Sequence, residues 1–409
     1  MSTATPTISE PPTRRLARGP AFAFVAVVVA SLLGASAAPT PIYEVYERDW
    51  GFSSLQSTTV FGIYALSLLA ALLTVGSLSD HVGRRPVLFV ALAVEAASMV
   101  VFAAADGVGL LLVARVVQGF ATGAAISALG SLLIDLERRP GRGAVVNSMA
   151  PGAGLALGAL ASSLVSEHLP RPTTTVYLLL LVLFVAETAV VAALPETVTR
   201  RPGALATLRP SLAVPASSRT PMLLTAPCLV AVWALGGFYL SLGPTLAHNA
   251  LDVHSSLVGA IMVALLTGTG AVTVFVLRNS PAQTVLAVGS GALVAGVAVT
   301  LVGAEESSAL LVLAGTVVAG AGFGAGFQGT IRTVMPTAGP SERAGLLASV
   351  YVVAYLANSV PAFGAGYLVT RIGVTDTTRL YGGLVIVLAA VALAASVLRR
   401  PVAAAAQTD

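Results

Sequence analysis

Apolar runs long enough to cross a bilayer recur along the whole of this 409-residue chain, and no other feature constrains its fold so tightly. Residues 21–38, 87–105, 177–194, 255–277 and 380–398 each carry at most one charged side chain. A helix of about 20 such residues spans a hydrocarbon core of roughly 30 Å. A membrane barrel would instead show alternating segments of about 10 residues with aromatic girdles. Here aromatics make up only 6% of the chain, and the runs are rich in Ala, Leu, Val and Gly. Small residues let transmembrane helices approach closely. Charged residues amount to 10%, against about 25% in a soluble domain. The chain reads as an all-α integral membrane protein, not a soluble enzyme.

Twelve spans are expected: 20–46, 54–77, 87–105, 108–134, 143–166, 173–194, 222–247, 255–277, 283–302, 308–331, 344–369 and 377–398. All 22 basic residues are arginine. They collect at alternate loops, around Arg84 and Arg85, Arg138, Arg139 and Arg142, Arg200, Arg201, Arg209 and Arg219, and Arg332 and Arg343. The N-terminal Arg14, Arg15 and Arg18 and the tail pair Arg399 and Arg400 fall on the same side. The opposite loops hold Glu44, Glu47, Asp49, Asp106, Asp252, Glu305 and Glu306. The positive-inside rule puts both termini in the cytoplasm, which requires an even number of spans. The first apolar run is too long for a typical signal-peptide core and reads as an uncleaved helix. The multi-pass chain is expected in the plasma membrane, with the lipid bilayer as its surroundings.

The Pro-, Ser- and Arg-rich interval 195–221 divides the chain into 1–194 and 222–409, two pseudo-symmetric bundles of six helices. Spans four and ten share a glycine-rich pattern ending at an arginine-bearing loop, as expected of transporters built from repeats. The net charge of +4 is spread over separate loops, which argues against a nucleic-acid partner. Cys228 has no second cysteine to pair with. Neither a phosphate-binding loop nor a zinc spacing is present, and the four histidines are scattered. No metal or cofactor is expected.

The chemistry-bearing segments begin with the loop after span two, Gly76-Ser-Leu-Ser-Asp80-His-Val-Gly83-Arg84-Arg85-Pro86. Asp80 and Arg84 are four apart and can pair if the turn stays helical. Gly76 admits a close helix neighbour, Gly83 permits a tight turn, and Pro86 suits the start of a helix. In span four, Arg115-Val-Val-Gln118-Gly119-Phe-Ala-Thr-Gly123 buries an arginine in an apolar helix. An unpaired charge there costs about 2.5–3.5 kcal/mol on insertion scales. Arg115 therefore faces a partner or a wet cavity, or else it snorkels outward as a structural residue. Gln118 lies one turn away. Glu95 and Glu187 are acids placed near mid-membrane, suited to carrying protons or to structural pairing.

The pattern G-x-x-x-D-x-x-G-R-R resembles the signature loop of the major facilitator superfamily, and the resemblance extends over twelve spans and a central linker. It implies a gating role for Gly76, Asp80, Gly83, Arg84 and Arg85, with Asp135 at the inner end of span four joining their charge network. The repeat of this loop after span eight, Leu277-Arg278-Asn279-Ser280-Pro281, retains one arginine and no acid. The motif R-x-x-Q-G is similar to that of proton-coupled members, which implies coupling or substrate roles for Arg115 and Gln118. Pro151, Gly154 and Gly158 in span five resemble a degenerate antiporter signature, and equally a generic small-residue packing face. Trp233, Tyr239, Tyr355 and Asn358, with Phe238, Asn249 and Tyr351, are candidates to line a cavity. Packing or anchoring is the plainer role for such aromatics. Glu44 and Glu47 read as solvated outer-loop residues, with guarding the mouth as the alternative.

The expected activity is proton-coupled export of a small drug-like molecule or secondary metabolite, with protons as the coupling partner and a monomer as the working unit. One alternative is a proton symporter or facilitator importing a small nutrient. Another, of a different class, is a membrane sensor that does not transport.

Overall fold

The computed structural model describes residues 15–210, 212–251 and 255–398, with only the backbone of residues 44, 206 and 248–251. Arg14, Asp252, Arg399 and Arg400, and the side chains of Glu44 and Asn249, lie outside the described residues. Every regular element described is helical: α1 (Arg18–Ala37), α2 (Tyr43–Trp50), α3 (Ser54–Val75), α4 (Ser79–Val82), α5 (Arg84–Ala103), α6 (Val108–Leu136), α7 (Arg142–His168), α8 (Pro172–Val191), α9 (Ala216–Leu251), α10 (Ser256–Val276), α11 (Ala282–Glu305), α12 (Ala309–Val334) and α13 (Arg343–Leu398). In a hydrocarbon core every N–H and C=O must find its partner within the segment, and a helix does this locally.

Eleven of the described helices are long and apolar enough to cross a membrane. The last, α13, runs for 56 residues, about 84 Å if straight and far more than one crossing needs. It breaks at Gly373, whose φ of 81° and ψ of 170° lie outside helical space and favour a residue without Cβ. The chain turns there, so α13 supplies the two final crossings and the total is twelve.

Two boundaries differ from expectation. The first span was expected to continue to residue 46, but α1 ends at Ala37. Pro39 and Pro41 lack N–H donors and disfavour helical geometry in the residues before them. The chain then re-enters a separate short helix, α2, stopped by left-handed Gly51. Glu47 consequently lies on a packed helix, half-buried and accepting a hydrogen bond from Ser57 Oγ at 3.2 Å, and not in a solvated loop. At the other boundary, α9 begins at Ala216, so the last residues of the expected linker are already helical.

One apolar core draws its residues from α1 to α8, with Ala362 as the single contribution from α13. A second core is built from α9 to α13. Close backbone approaches hold the helices together. A Cβ at Gly158 of α7 would lie 2.1 Å from Gly34 O of α1, and one at Gly324 of α12 would lie 2.1 Å from Gly270 O of α10. Hydrogen bonds join the two groups of helices at the arginine-poor end. Ser255 Oγ donates to Glu167 at 2.6 Å, Leu257 N to the same oxygen at 3.3 Å, and Thr40 Oγ1 to Leu240 O at 2.8 Å. At the arginine-rich end the linker mediates, with Arg201 N donating to His81 O at 2.9 Å and Ser217 Oγ to Thr337 O at 2.9 Å.

Candidate functional site

Two sites emerge, a charged loop at one end of the bundle and a buried polar cluster inside it. In the loop, α4 ends and Gly83 turns the chain with a φ of 103°, so Arg84 opens the next helix. The turn does not stay helical, yet the Asp80–Arg84 pair forms across the break. The same guanidinium receives help from Ser79 Oγ at 2.8 Å and reaches Asp135 Oδ2 at 3.5 Å. Arg84 is 8% exposed. The partly exposed carboxylates around it therefore offset a charge that is itself withdrawn from water. Ser127 of α6 donates to Gly76 O, so Gly76 does sit at a helix contact.

Glu196, just beyond α8, belongs to this network and carried no flag in the sequence. Its carboxylate accepts from Arg84 N at 2.9 Å and Arg85 N at 3.0 Å, satisfying donors that the first turn of a helix leaves free. Thr197 Oγ1 donates to Asp135 Oδ2 at 2.7 Å. The linker thus begins as part of the loop's hydrogen-bond network. Its position in Pro195-Glu196-Thr197, immediately after an apolar run, was the available signal. Arg85 donates to Ala192 O and has no carboxylate partner among the described residues.

The buried cluster centres on Arg115, which has no exposed surface. Nη1 donates to Ser36 O at 3.0 Å and to Gln118 Oε1 at 2.9 Å, and Nη2 donates to Tyr43 OH at 2.8 Å. The guanidinium also sits 5.2 Å from the centroid of the Tyr64 ring and 5.8 Å from that of Phe102. Gln118 Nε2 donates in turn to Ala35 O at 3.2 Å. Arg115 is therefore held by dipoles and ring faces, with no salt bridge among the described residues, and Nε has no partner. It does not snorkel. Glu95, fully buried on α5, accepts from Thr122 Oγ1 at 3.1 Å, and its other oxygen is unpartnered. Arg115, Gln118 and Thr122 follow the 3-then-4 spacing of one helix face. Thr122 could have been found by that spacing; Tyr43, Tyr64 and Ser36 come from other helices and could not. Glu187 stands apart from this chain of contacts, accepting from Ser31 Oγ at 2.7 Å with Oε2 unpartnered.

Residues 23–357 match the sequence profile of the Major Facilitator Superfamily. The chain belongs to the major facilitator superfamily. Among curated relatives, the inner membrane transport protein YajR of Escherichia coli is 38% identical over 81 residues, 20% of this chain and 17% of that protein. The MFS transporter paaT of Penicillium rubens is 27% identical over 152 residues, 37% of this chain and 28% of that protein. A triacylglyceride transporter of Mycolicibacterium hassiacum is 34% identical over 152 residues, 36% and 28% of the two chains. The matched segments thus span less than a third of each relative's length. The fold extends further than the identity. The crystal structure of a nucleoside transporter, NupG, superposes with a TM-score of 0.70 at 14% identity, over 92% of this chain and 99% of that one. The human organic anion transporter MFSD10 does so with a TM-score of 0.65 at 19% identity, over 94% and 100%.

Within this superfamily fold the aromatic candidates separate. The Trp233 ring lies 4.9 Å from Tyr355 and 5.5 Å from Phe327, and its Nε1 is buried without a partner. Tyr351 adjoins at 6.1 Å from Tyr355. Tyr355 packs on the cluster of Tyr64, Ala65 and Leu68, so a line of rings runs from Trp233 to the Arg115 cluster. Tyr239 is not part of it: it is in the second core, bonded to Thr316 Oγ1 at 3.0 Å. Phe238 belongs to the same core, 4.8 Å from Tyr381. Asn358 marks a close crossing of α13 over Gly237 of α9, where a Cβ would meet its carbonyl at 2.3 Å. On α7, Pro151 lies inside the helix, and Gly154 and Gly158 face Ala30 and Gly34 of α1.

Proposed function

We propose that this chain is a secondary active transporter that exports a small, uncharged or lipophilic drug-like compound or secondary metabolite in exchange for protons. The two bundles, 1–194 and 222–409, would rock about a central site while the 195–221 linker joins them, and the chain would work as a monomer in the plasma membrane with both termini in the cytoplasm. The observation that carries this reading is the buried Arg115 cluster. A fully buried guanidinium held only by dipoles lies in one side-chain network with Gln118, and Glu95, with an unpartnered oxygen, sits beside it through Thr122 on the same helix face. A buried carboxylate near a fixed cation is a site where gain or loss of one proton changes the local charge balance strongly. Substrate is then placed along the rings from Tyr64 to Tyr355 and Trp233, a surface suited to apolar and aromatic cargo. Glu187 is the second candidate proton carrier. The Asp80, Arg84 and Asp135 network, with Gly76, Gly83 and Arg85, would hold one state of the cycle. Pro151, Gly154 and Gly158 would keep α7 closely packed against α1 as the bundles move.

The bonds of Glu167 and Thr40 across the bundles at the arginine-poor end support assigning this arrangement to the state closed toward the outside. The name of one partial relative, a triacylglyceride transporter, favours organic cargo over inorganic ions. The test uses purified protein in liposomes with an internal pH dye and pools of candidate compounds added outside. Internal alkalinisation that disappears in Arg115→Ala supports antiport. Internal acidification would replace it with symport and import.

A further inference from the structure

At the arginine-rich end, the first turns of α5, the end of α8 and the start of the linker enclose an open groove of about 480 Å³. We propose that this groove binds one anionic phospholipid, with its phosphate between the guanidinium groups of Arg85 and Arg200 and an acyl chain along Phe89 and Val90. Both arginines line the groove, and neither has an ion pair among the described residues. Arg85 is anchored at the rim by its bond to Ala192 O, which leaves its buried Nε without a partner. Arg200 is exposed. The wall also contains a carboxylate, Glu196, whose oxygens are taken up by backbone donors and form no ion pair with either arginine, so two guanidinium groups and one carboxylate leave the groove an excess of one positive charge. Oε1 accepts from Arg84 N, Thr197 N and Val198 N, and Oε2 from Arg85 N. Two guanidinium groups with no bonded carboxylate therefore line one groove, and a guanidinium is a fork-shaped donor that suits phosphate.

The apolar wall identifies the source of that phosphate. Phe89 and Val90 are one turn further into the membrane than Arg85 and Pro86, and are 48% and 60% exposed. Side chains four apart lie on one helix face, so the cations and the apolar strip form a continuous surface. A free phosphate would leave that strip unused, whereas a lipid places its headgroup and chain at those two heights. Basic pockets between transmembrane helices recognise anionic headgroups in this way. A zwitterionic lipid brings its own cation and leaves that excess charge unbalanced. Because Arg85 belongs to the loop and Arg200 to the linker, the bound lipid would brace the contact already made by Arg201 N and His81 O.

The experiment is native mass spectrometry of the full chain titrated with phosphatidylglycerol, with Arg200→Gln as the variant and Arg138→Gln as a control. Arg138 carries the same charge at the same end but lies outside the groove. Wild type and Arg138→Gln should retain one tightly held phosphatidylglycerol, and Arg200→Gln should bind it about tenfold more weakly, the loss of one charge-assisted contact. Hydrogen exchange should show residues 196–201 protected by phosphatidylglycerol in wild type and Arg138→Gln, but not in Arg200→Gln. The proposal is overturned if Arg200→Gln binds like wild type, or if Arg138→Gln weakens binding equally. It is also overturned if phosphatidylcholine is held as tightly, or if inorganic phosphate displaces the lipid at similar concentration.

Discussion

The helices α1–α8 and α9–α13 build separate apolar cores and bury different chemistry. Among the described residues the first half buries Arg84, Glu95, Arg115 and Glu187, whereas the buried polar residues of the second are Ser, Thr and Asn. The contrast repeats at the matching loops. After α3, Arg84 is met by the carboxylates of Asp80 and Asp135. After α10, Arg332 donates instead to Leu277 O at 3.3 Å and Ser280 O at 2.7 Å, while Arg278 stacks 3.9 Å over its neighbour Phe275. Carboxylates can be protonated and released, but carbonyls cannot. Under the proposed function, proton-linked and switchable steps would fall to the first half, because the second buries no charged side chain among the described residues.

The largest expected effect tests that assignment directly. Arg115→Ala should abolish proton-linked flux in liposomes, and Arg115→Lys should too, because one ammonium cannot span the carbonyl, amide and phenol acceptors around it. Tyr239→Phe, which removes the Thr316 bond in the second half, should leave the proton-to-substrate ratio unchanged. Full coupling in Arg115→Lys would break the comparison.

Next in size are the packing variants. Gly158→Val and Gly324→Val each force a Cβ to within 2.1 Å of a backbone oxygen. Overpacking costs typically 1–3 kcal/mol, so both should lower the thermal midpoint by similar amounts. Unequal losses would show that the halves also differ in packing.

Loop variants should have smaller effects. Asp80→Asn weakens a half-exposed pair worth about 1 kcal/mol and should slow flux several-fold with little change in stability. Arg332→Gln should slow it less, and equal slowing would remove the distinction between carboxylate and carbonyl acceptors.

The smallest effect concerns Glu47, outside the spanning helices. Burial pushes its carboxyl above the ordinary range, with the Ser57 hydrogen bond opposing in part. The folded chain then holds that proton to higher pH than the unfolded chain does. Stability should fall as pH rises from about 4.3 through the raised value. Glu47→Gln should match wild type below that window and exceed it slightly above. A parallel decline with pH in the variant would contradict the burial account.

Much of the architecture was legible because it is written in local pattern. Lipid requires each crossing to satisfy its own backbone, so apolar length located the spans, and Gly83 with Arg84 and Arg85 marked the loop. The end of α1 was legible only in part: the prolines at 39 and 41 were visible, but the apolar run continued past them. Glu196 was missed because a carboxylate after an apolar run looks like any loop acid until the donors it caps are known. How the aromatic candidates group was not legible for a related reason. Trp233 and Tyr239 are neighbours in sequence, but six residues on a helix place them on different faces.

By itself, then, the sequence determined the helical membrane class, the alternation of arginine-rich and arginine-poor loops, and the positions of the unusual charges. These depend on residues within a few turns of one another. The tertiary structure alone decided that Arg115 is satisfied by Ser36 and Tyr43, more than 70 positions away, and not by either buried acid. A helical repeat states which face a residue occupies. Which helix comes to lie against that face is settled by packing of the whole bundle, where small residues such as Gly34 and Gly158 set how closely two backbones meet.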